Sequence, residues 1–182
     1  MVSKMLLEDV NKILEEHKLW LASNKKEGKI ANFQKAKLRE FNLQNAFLRE
    51  AILYWADLQG ANLKGADLQG AKLQGAMLQR ANLQRANLRW AILQRAKLQN
   101  ANLQRANLQR ANLQEANLRK ADLREAQLQG AGLIAANVMG AKLDQANFEG
   151  ANLNSIIIDK ASASNLPKSI IEKYGSTFLV SG

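Results

Sequence analysis

The side chains that could perform nucleophilic, acid–base or metal chemistry are few and scattered in this sequence. The chain of 182 residues has no Cys and one His, His17, and no Ser lies between Asn24 and Asn154. Ser-His-Asp and Cys-His catalysis, zinc ribbons and His-rich metal clusters therefore lack their side chains across most of the chain. The carboxylates that could serve as acids or bases there include Asp57, Asp67, Asp122 and Asp144. Their spacing suggests no acid–base pair, so we predict a protein that is not an enzyme and that holds no cofactor and no metal ion.

The composition indicates the class of protein to which the chain belongs. Apolar residues make up 47% of the chain, the formal net charge is +10, and there is a single Pro, Pro167. Such a length and apolar content predict one folded domain and argue against disorder. No apolar run approaches the ~20 residues of a membrane span, and the start of the chain lacks the plan of a signal peptide. We therefore expect no membrane span and a cytoplasmic protein.

A five-residue repeat fills the middle of the chain and must position every side chain there. From Ala31 to Ala151 an Ala recurs at every fifth residue, and Phe41 is the exception among 25 units. Leu follows two residues later, except where Phe33, Val138 and Phe148 replace it. We call the five places of a unit the Ala place, the place before Leu, the Leu place, the place after Leu and the corner place.

A period of five fits neither an α-helix nor a flat strand. On a helix, five residues advance by ~500°, so successive Leu residues share no face. On a flat strand, an odd spacing sends them to opposite sides. If the chain instead turns a corner once per unit, each unit lays down a short extended segment with Leu and Ala pointing inward. The neighbours of Leu then point outward.

The remaining places of the unit agree with this geometry. The place before Leu holds Asn twelve times and Asp three times, and the place after Leu holds Gln thirteen times. The corner place holds Gly in seven units, and Gly suits a tight turn with positive φ. Other residues occupy the corner place elsewhere, so we expect the corner geometry to vary along the chain.

The repeat resembles that of the pentapeptide-repeat family, whose consensus is A-(D/N)-L-x-x, and the unit Ala101-Asn102-Leu103-Gln104-Arg105 is a clear example. The resemblance covers residues 31–155. It implies an all-β solenoid, a right-handed quadrilateral β-helix with four units per coil and about six coils. The core would be a column of Leu flanked by Ala.

Capping segments are expected at both ends, because a solenoid exposes unpaired backbone there. We predict an N-terminal capping helix and linker over residues 1–28, the β-helix over 29–160, and a C-terminal cap with a short helix over 161–182. The helical spacing of apolar residues covers 4–22, with Ser3 as N-cap. Its apolar face consists of Leu6, Val10, Ile13, Leu14, His17, Trp20 and Leu21. Most simply this helix covers the first coil, with His17 buried and not a ligand; the alternative is a helix that binds a membrane surface or a partner.

The C-terminal segment has two interpretations. Pro167 to Tyr174 reads as a short helix that begins near Pro167 and ends before Gly175. The apolar run 178–180 either folds back onto the last coil or mediates dimerisation, as C-terminal segments do in some members of the family. A monomer and a dimer through an end cap both stay open.

One face of such a coil gathers outward apolar residues. Residues twenty apart stack on the same face, which places Ile52, Tyr54, Trp55, Ile92 and Ile134 together, with Trp90 at the adjoining corner. A cluster of exposed apolar residues predicts a contact patch for a partner or for self-association. The alternative is that the linker or the N-terminal helix packs sideways on this face.

A basic belt occupies the middle coils. Residues 76–125 carry three acids and ten basic residues, namely Arg80, Arg85, Arg89, Arg95, Lys97, Arg105, Arg110, Arg119, Lys120 and Arg124. We expect the belt to wrap several faces. It could attract nucleic acid non-specifically, although few aromatics are available to stack on bases, or it could be a solvated surface.

These features lead to a protein that presents a surface to a protein partner, with electrostatic binding of nucleic acid as the alternative. The resemblance also raises binding to DNA gyrase, which fluoroquinolone-resistance members achieve by mimicking the acidic surface of DNA. A net charge of +10 disfavours that role for this chain.

Overall fold

A computed structural model describes residues 6–181, apart from the side chains of residues 180 and 181. Helix α1 spans Leu7–Ala22 and precedes the 25 repeat units. After the repeats come strand β1 (Ile157–Asp159), helices α2 (Lys160–Ala163) and α3 (Lys168–Tyr174), a 3-10 helix (Gly175–Thr177) and strand β2 (Leu179–Ser181).

The repeats form a right-handed quadrilateral β-helix with four units per coil, as predicted. Parallel bridges join residues twenty apart without interruption, from Asn32↔Ile52 to Asn137↔Ile157. Each place before Leu therefore stacks on the same place of the next coil. We name the four sides face 1 to face 4 by their first units, which are 31–35, 36–40, 41–45 and 46–50, together with every unit twenty residues further on.

The Ala and Leu places fill the interior. Every residue at a Leu place is at most 3% exposed, and the Ala place is fully buried through most of the coils. In the first coil, Ala36, Phe41 and Ala46 are partly buried and pack against the same core. The core is thus a single column, and it gains most of its stability from Leu burial.

Asn and Asp before Leu have a structural role in each unit. The side-chain oxygen of Asn102 accepts a hydrogen bond of 3.1 Å from the backbone N–H of Gln104, and the same contact joins Asp122 to Arg124 at 3.2 Å. Short polar side chains favour this local turn. The preference for Asn and Asp at this place therefore serves the fold.

The expectation that corner geometry varies was wrong. All 25 corner residues have φ between +53° and +67°, whether the residue is Gly, Arg, Glu or Trp. Each corner is closed by a hydrogen bond such as Ala66 N–H to Leu63 O at 3.0 Å, and the next coil is bonded by Gly65 N–H to Gln84 O at 2.8 Å. These bonds impose one backbone conformation on every corner, although an L-residue pays ~1–2 kcal/mol for it.

Helix α1 covers the end of the first coil. Val10 and His17 are buried against it, and Ile13 and Leu14 pack on the core. The predicted N-cap Ser3 lies outside the described residues. Leu6, predicted on the apolar face, is exposed instead, because the helix begins at Leu7 and Leu6 precedes its first turn.

The C-terminal segment folds back onto the last coil. Helix α3 begins after Pro167 and is followed by Gly175, as predicted. Strand β2 then pairs in parallel with β1, with Leu179 opposite Ile157, and so extends face 2 by one rung. The buried Tyr174 hydroxyl donates a 3.0 Å hydrogen bond to Ala151 O, which anchors α3 to the end of the core.

Candidate functional site

Two tryptophans stand at corner places on either side of face 1. Trp55 has φ +53° and is 49% exposed, and Trp90 has φ +55° and is 42% exposed. A bulky side chain in the left-handed region is strained, and neither indole is buried in the core in return. Both rings are therefore held at the surface by the corner geometry.

The indole of Trp55 lies over the next corner of its column. A Cβ added to Gly75 would come within 2.5 Å of Trp55 Cδ1, so the absence of a side chain at Gly75 makes room for the ring. Tyr54 contacts the ring with centroids 5.8 Å apart, and Lys35 Nζ lies 5.9 Å from its centroid. The ring is thus held in place between successive coils.

Trp90 is accompanied by a cation and by an apolar neighbour. The Arg89 guanidinium carbon lies 4.4 Å from the centroid of the indole ring, close enough for a cation–π contact. Two residues after Trp90, Ile92 is half-buried at the place before Leu on face 1. Trp90 and Ile92 therefore join an aromatic edge to the adjoining face.

The six residues predicted as a patch fall into three groups. Ile52, Tyr54 and Trp55 share one unit. Trp90 and Ile92 lie two coils further on, beyond Lys72, which pairs with both Ile52 and Ile92 in the bridge ladder. Ile134 is exposed but stacks four coils after Tyr54, or ~19 Å at strand spacing. The structure thus spreads the six residues along face 1 over about four coils, with Ile134 at the far end, two coils beyond the unit of Ile92.

Helix α1 does not cover this patch. Its buried residues, Val10 and His17, lie against the end of the first coil, and Trp55 and Trp90 stay exposed. Among the described residues, the helix therefore does not pack sideways on face 1.

Phe47 is an exposed apolar residue that the sequence-based prediction missed. It is 55% exposed and occupies the place before Leu on face 4, in the first coil. The signal was present, because Phe stands where most units have Asn or Asp. It extends the exposed apolar surface from face 1 to the neighbouring face 4.

Three members of the basic belt are neutralised by carboxylates. Arg95 pairs with Glu115 at 2.8 Å and Arg105 with Glu125 at 2.7 Å, each across one coil. Arg124 pairs with Asp122 within its own unit at 2.6 Å. The hydrogen bond from Arg95 lowers the pKa of Glu115, and those from Arg105 and Arg124 lower the pKa values of Glu125 and Asp122.

The other seven basic residues form no salt bridge with any described residue, and they are unevenly distributed. Four of them lie on face 2, namely Arg80, Lys97, Arg119 and Lys120. Arg85 lies on face 3, and Arg89 and Arg110 lie on face 4. The belt does wrap several faces, but its unpaired charge is concentrated on face 2.

His17 is a buried residue of the cap. Its Nδ1 accepts a 3.1 Å hydrogen bond from the backbone N–H of Ala31, and the Trp20 ring stacks on it with centroids 5.5 Å apart. Burial lowers the pKa of His17. The ring therefore joins α1 to the first unit in its neutral form.

The described part of the chain contains no group of three or more His, Cys, Asp or Glu side chains placed to hold a metal ion. Within residues 6–181, no helix is long and apolar enough to cross a membrane.

Comparison with known proteins identifies the repeat. The family model for pentapeptide repeats matches residues 31–70, 61–100 and 101–137, in eight copies. None of the curated proteins matches the chain.

Several solved structures share the fold. HetL, a pentapeptide repeat protein involved in heterocyst differentiation regulation from the cyanobacterium Nostoc sp. strain PCC 7120, is 25% identical over 85% of this chain and 84% of its own, with a TM-score of 0.52. The pentapeptide repeat protein alr5209 from Nostoc PCC 7120 is 35% identical over 58% of this chain and 84% of its own, with a TM-score of 0.53. A trypsin-treated variant of QnrB1, a plasmid-mediated fluoroquinolone resistance protein, is 18% identical over 84% of this chain and 80% of its own; its TM-score of 0.55 shows the fold alone.

Proposed function

The chain belongs to the pentapeptide-repeat family, and on that premise we propose that it is a non-enzymatic rod whose face 1 binds a protein partner. The observation that carries the proposal is the pair of exposed tryptophans, Trp55 and Trp90, held in strained corners on either side of face 1. Tryptophan is the residue type most enriched among those that dominate the energy of protein interfaces.

The arrangement of the patch suits a partner that lies across the coils. Lys72 separates Ile52 from Ile92, so the apolar contact is divided into two parts ~10 Å apart. A partner with two apolar anchors at that spacing would cover both, with a polar or acidic group opposite Lys72. The stacked coils keep this spacing fixed, which limits the entropy lost on binding.

Electrostatic binding of nucleic acid is the second candidate. It is supported by the seven basic residues of the belt that form no salt bridge with described residues. It is weakened by the pairing of Arg95, Arg105 and Arg124 and by the scarcity of aromatics near the unpaired charges. A steep loss of DNA affinity with rising salt, without any protein partner, would favour it over protein binding.

The experiment compares partner capture by the wild type and by two matched variants. Tyr54→Ala with Trp90→Ala removes one aromatic side chain from each of the two parts of the patch, and Ile134→Ala removes an exposed apolar residue at the far end of the same face. Circular dichroism should show an intact fold in both. We expect proteins captured from a lysate of the producing cells to be lost with the aromatic variant and retained with Ile134→Ala.

Two results would overturn the proposal. One is a set of captured proteins that the aromatic variant retains in full. The other is light scattering that shows self-association of the wild type that the aromatic variant abolishes, which would make face 1 a contact between copies of this chain.

A further inference from the structure

The middle of face 2 carries a basic surface, and the nearest acids on the same face are Asp57, one coil before it, and Asp159, one coil after it. In its units 76–80, 96–100, 116–120 and 136–140 there are four basic residues and no Asp or Glu. Arg80, Lys97, Arg119 and Lys120 form no salt bridge with any residue that the structure describes. Each of the other three faces has acidic residues in the same coils: Glu115 on face 1, Asp122 and Glu125 on face 3, and Glu149 on face 4.

The charges on face 2 are close together. Arg80 and Lys120 occupy the same corner column, with Asn100 between them, so their backbones lie ~10 Å apart. Lys97 and Arg119 stand on adjacent coils of the same face. Four positive charges thus occupy an area of about two coil steps in length, which favours a ligand with closely spaced negative groups.

A groove leads into this surface from the first coils. Its volume is about 930 Å³, and its lining includes Gln59, Gln79 and Gln99, which stack in one column, and Gly60 and Arg80 at the corner. Gly60 has no side chain, so the corner column is open between Glu40 and Arg80. The groove runs across successive coils, as an extended segment would.

Two of the glutamines that line the groove have buried amide oxygens without a donor in the described part of the chain. The Oε1 atoms of Gln79 and Gln99 are buried and have no hydrogen-bond partner among the described residues. A buried amide oxygen without a donor is costly. Rotation about the last side-chain bond would turn each oxygen toward the groove, where a ligand N–H could donate to it.

We propose that face 2 binds an extended acidic peptide segment of a partner protein, with carboxylates on Arg80, Lys97, Arg119 and Lys120 and backbone N–H groups on the amides of Gln79 and Gln99. A peptide supplies both kinds of group. The phosphodiester backbone of a nucleic acid offers acceptors only, and face 2 has no aromatic residue between 76 and 140 on which a base could stack. This surface is separate from face 1, so the inference does not depend on the role proposed for the tryptophans.

The charge test uses two double variants matched in charge and in backbone conformation. Arg80→Gln with Lys120→Gln removes two charges from face 2, and Arg85→Gln with Arg110→Gln removes two from faces 3 and 4. All four residues are corner residues with positive φ, a conformation in which Gln145 already stands. The probe is a fluorescein-labelled peptide of ten Glu residues, measured by fluorescence anisotropy at 150 mM salt. We expect about tenfold weaker binding for the face 2 pair and less than twofold for the control pair.

The amide test separates a peptide from other polyanions. Gln79→Leu with Gln99→Leu leaves the charge unchanged but removes the acceptors. It should weaken the Glu peptide severalfold and leave a polyacrylate of similar length, which has carboxylates but no backbone N–H, unaffected. Equal losses in both charge pairs, equal losses for peptide and polyacrylate, or tighter binding of a ten-nucleotide oligo-dT than of the peptide would each overturn the proposal. Capture through face 1 is unaffected by these variants, so the two proposals fail separately.

Discussion

Acidification should release the N-terminal cap, because His17 is buried between α1 and the first coil. The ring is fully buried, its Nδ1 accepts the Ala31 N–H at 3.1 Å, and Trp20 stacks on it. Burial lowers the pKa of His17 below the ordinary value of 6.5, more than the Arg49 carbonyl and the Glu50 carboxylate raise it. The folded chain therefore holds a proton on His17 less tightly than the unfolded chain does.

The sign and size of the effect follow from this difference. Above pH ~6.5 the ring is neutral in both states and His17 costs nothing. As the pH falls from there toward the folded-state pKa, only the unfolded chain binds the proton, and the free energy of unfolding decreases by up to ~1.4 kcal/mol per pH unit. Protonation of Nδ1 would leave the Ala31 N–H without its acceptor, at a cost of ~1–3 kcal/mol. Since the unfolded-state pKa is ~6.5, the loss between pH 7 and pH 5 has an upper limit of ~2 kcal/mol.

The assay is simple because the chain has only one His. Its ring protons can be titrated by NMR, and the free energy of unfolding can be measured by urea denaturation from pH 5 to pH 8. His17→Asn is the control, since an Asn oxygen can accept from Ala31 N–H but does not titrate in this range. A wild type that parallels the control at every pH, or an NMR pKa at or above 6.5, would refute the role assigned to burial.

Two further predictions concern the core and the corners. Leu103→Asp places a carboxylate at a Leu position that is 1% exposed. We expect the free energy of unfolding to fall by at least ~3 kcal/mol. The control is Asn102→Asp, at a place that already holds Asp in other units, and it should leave the urea midpoint nearly unchanged. Gly75→Ala adds the cost of a left-handed L-residue, ~1–2 kcal/mol, and also displaces the Trp55 indole, whose Cδ1 would lie 2.5 Å from the new Cβ. Gly70→Ala, with its nearest neighbour at 3.6 Å, carries the backbone cost alone, so a smaller loss of stability and unchanged tryptophan fluorescence are expected for it; equal effects of the two variants would contradict the packing of Trp55 on Gly75.

The five-residue spacing of Ala and Leu predicts a short extended segment and one corner in each unit. The number of four units per coil was implied by the resemblance to the pentapeptide-repeat family, and the twenty-residue bridges from Asn32↔Ile52 onward have that arrangement. The corners were less predictable, since Gly occupies only some of them. Arg105, with φ +58°, adopts a conformation that its own preference disfavours, because the hydrogen bonds of the neighbouring coils outweigh the local cost. Conformational preferences of single residues do not include these hydrogen bonds between coils, so they could not predict the conformation of the corners.

The surface was harder to predict, for a different reason. The residues of the patch and of the belt could be named from the sequence, but their grouping depends on pairs twenty residues apart. The charge of Arg95 is balanced by a salt bridge with Glu115, and that of Arg105 by a salt bridge with Glu125. Applied to charges, the same twenty-residue rule that stacks the units would have revealed both pairs. Phe47 was not predicted because it stands on face 4, outside the stacked apolar positions of face 1.

Each of the five places in a unit has its own structural role, so residues with a role in binding are expected only at the outward places. The Ala and Leu places form the core, Asn or Asp before Leu accepts the N–H two residues on, and the backbone ladder sets the corners whatever their side chain. An unusual residue at an outward place therefore has little effect on the stability of the fold. At a corner place, an unusual bulky residue destabilises the fold, because the backbone there has positive φ. Trp55 is such a residue, at the corner that joins face 1 to face 2, and its position there is explained by the surface it presents and not by the core.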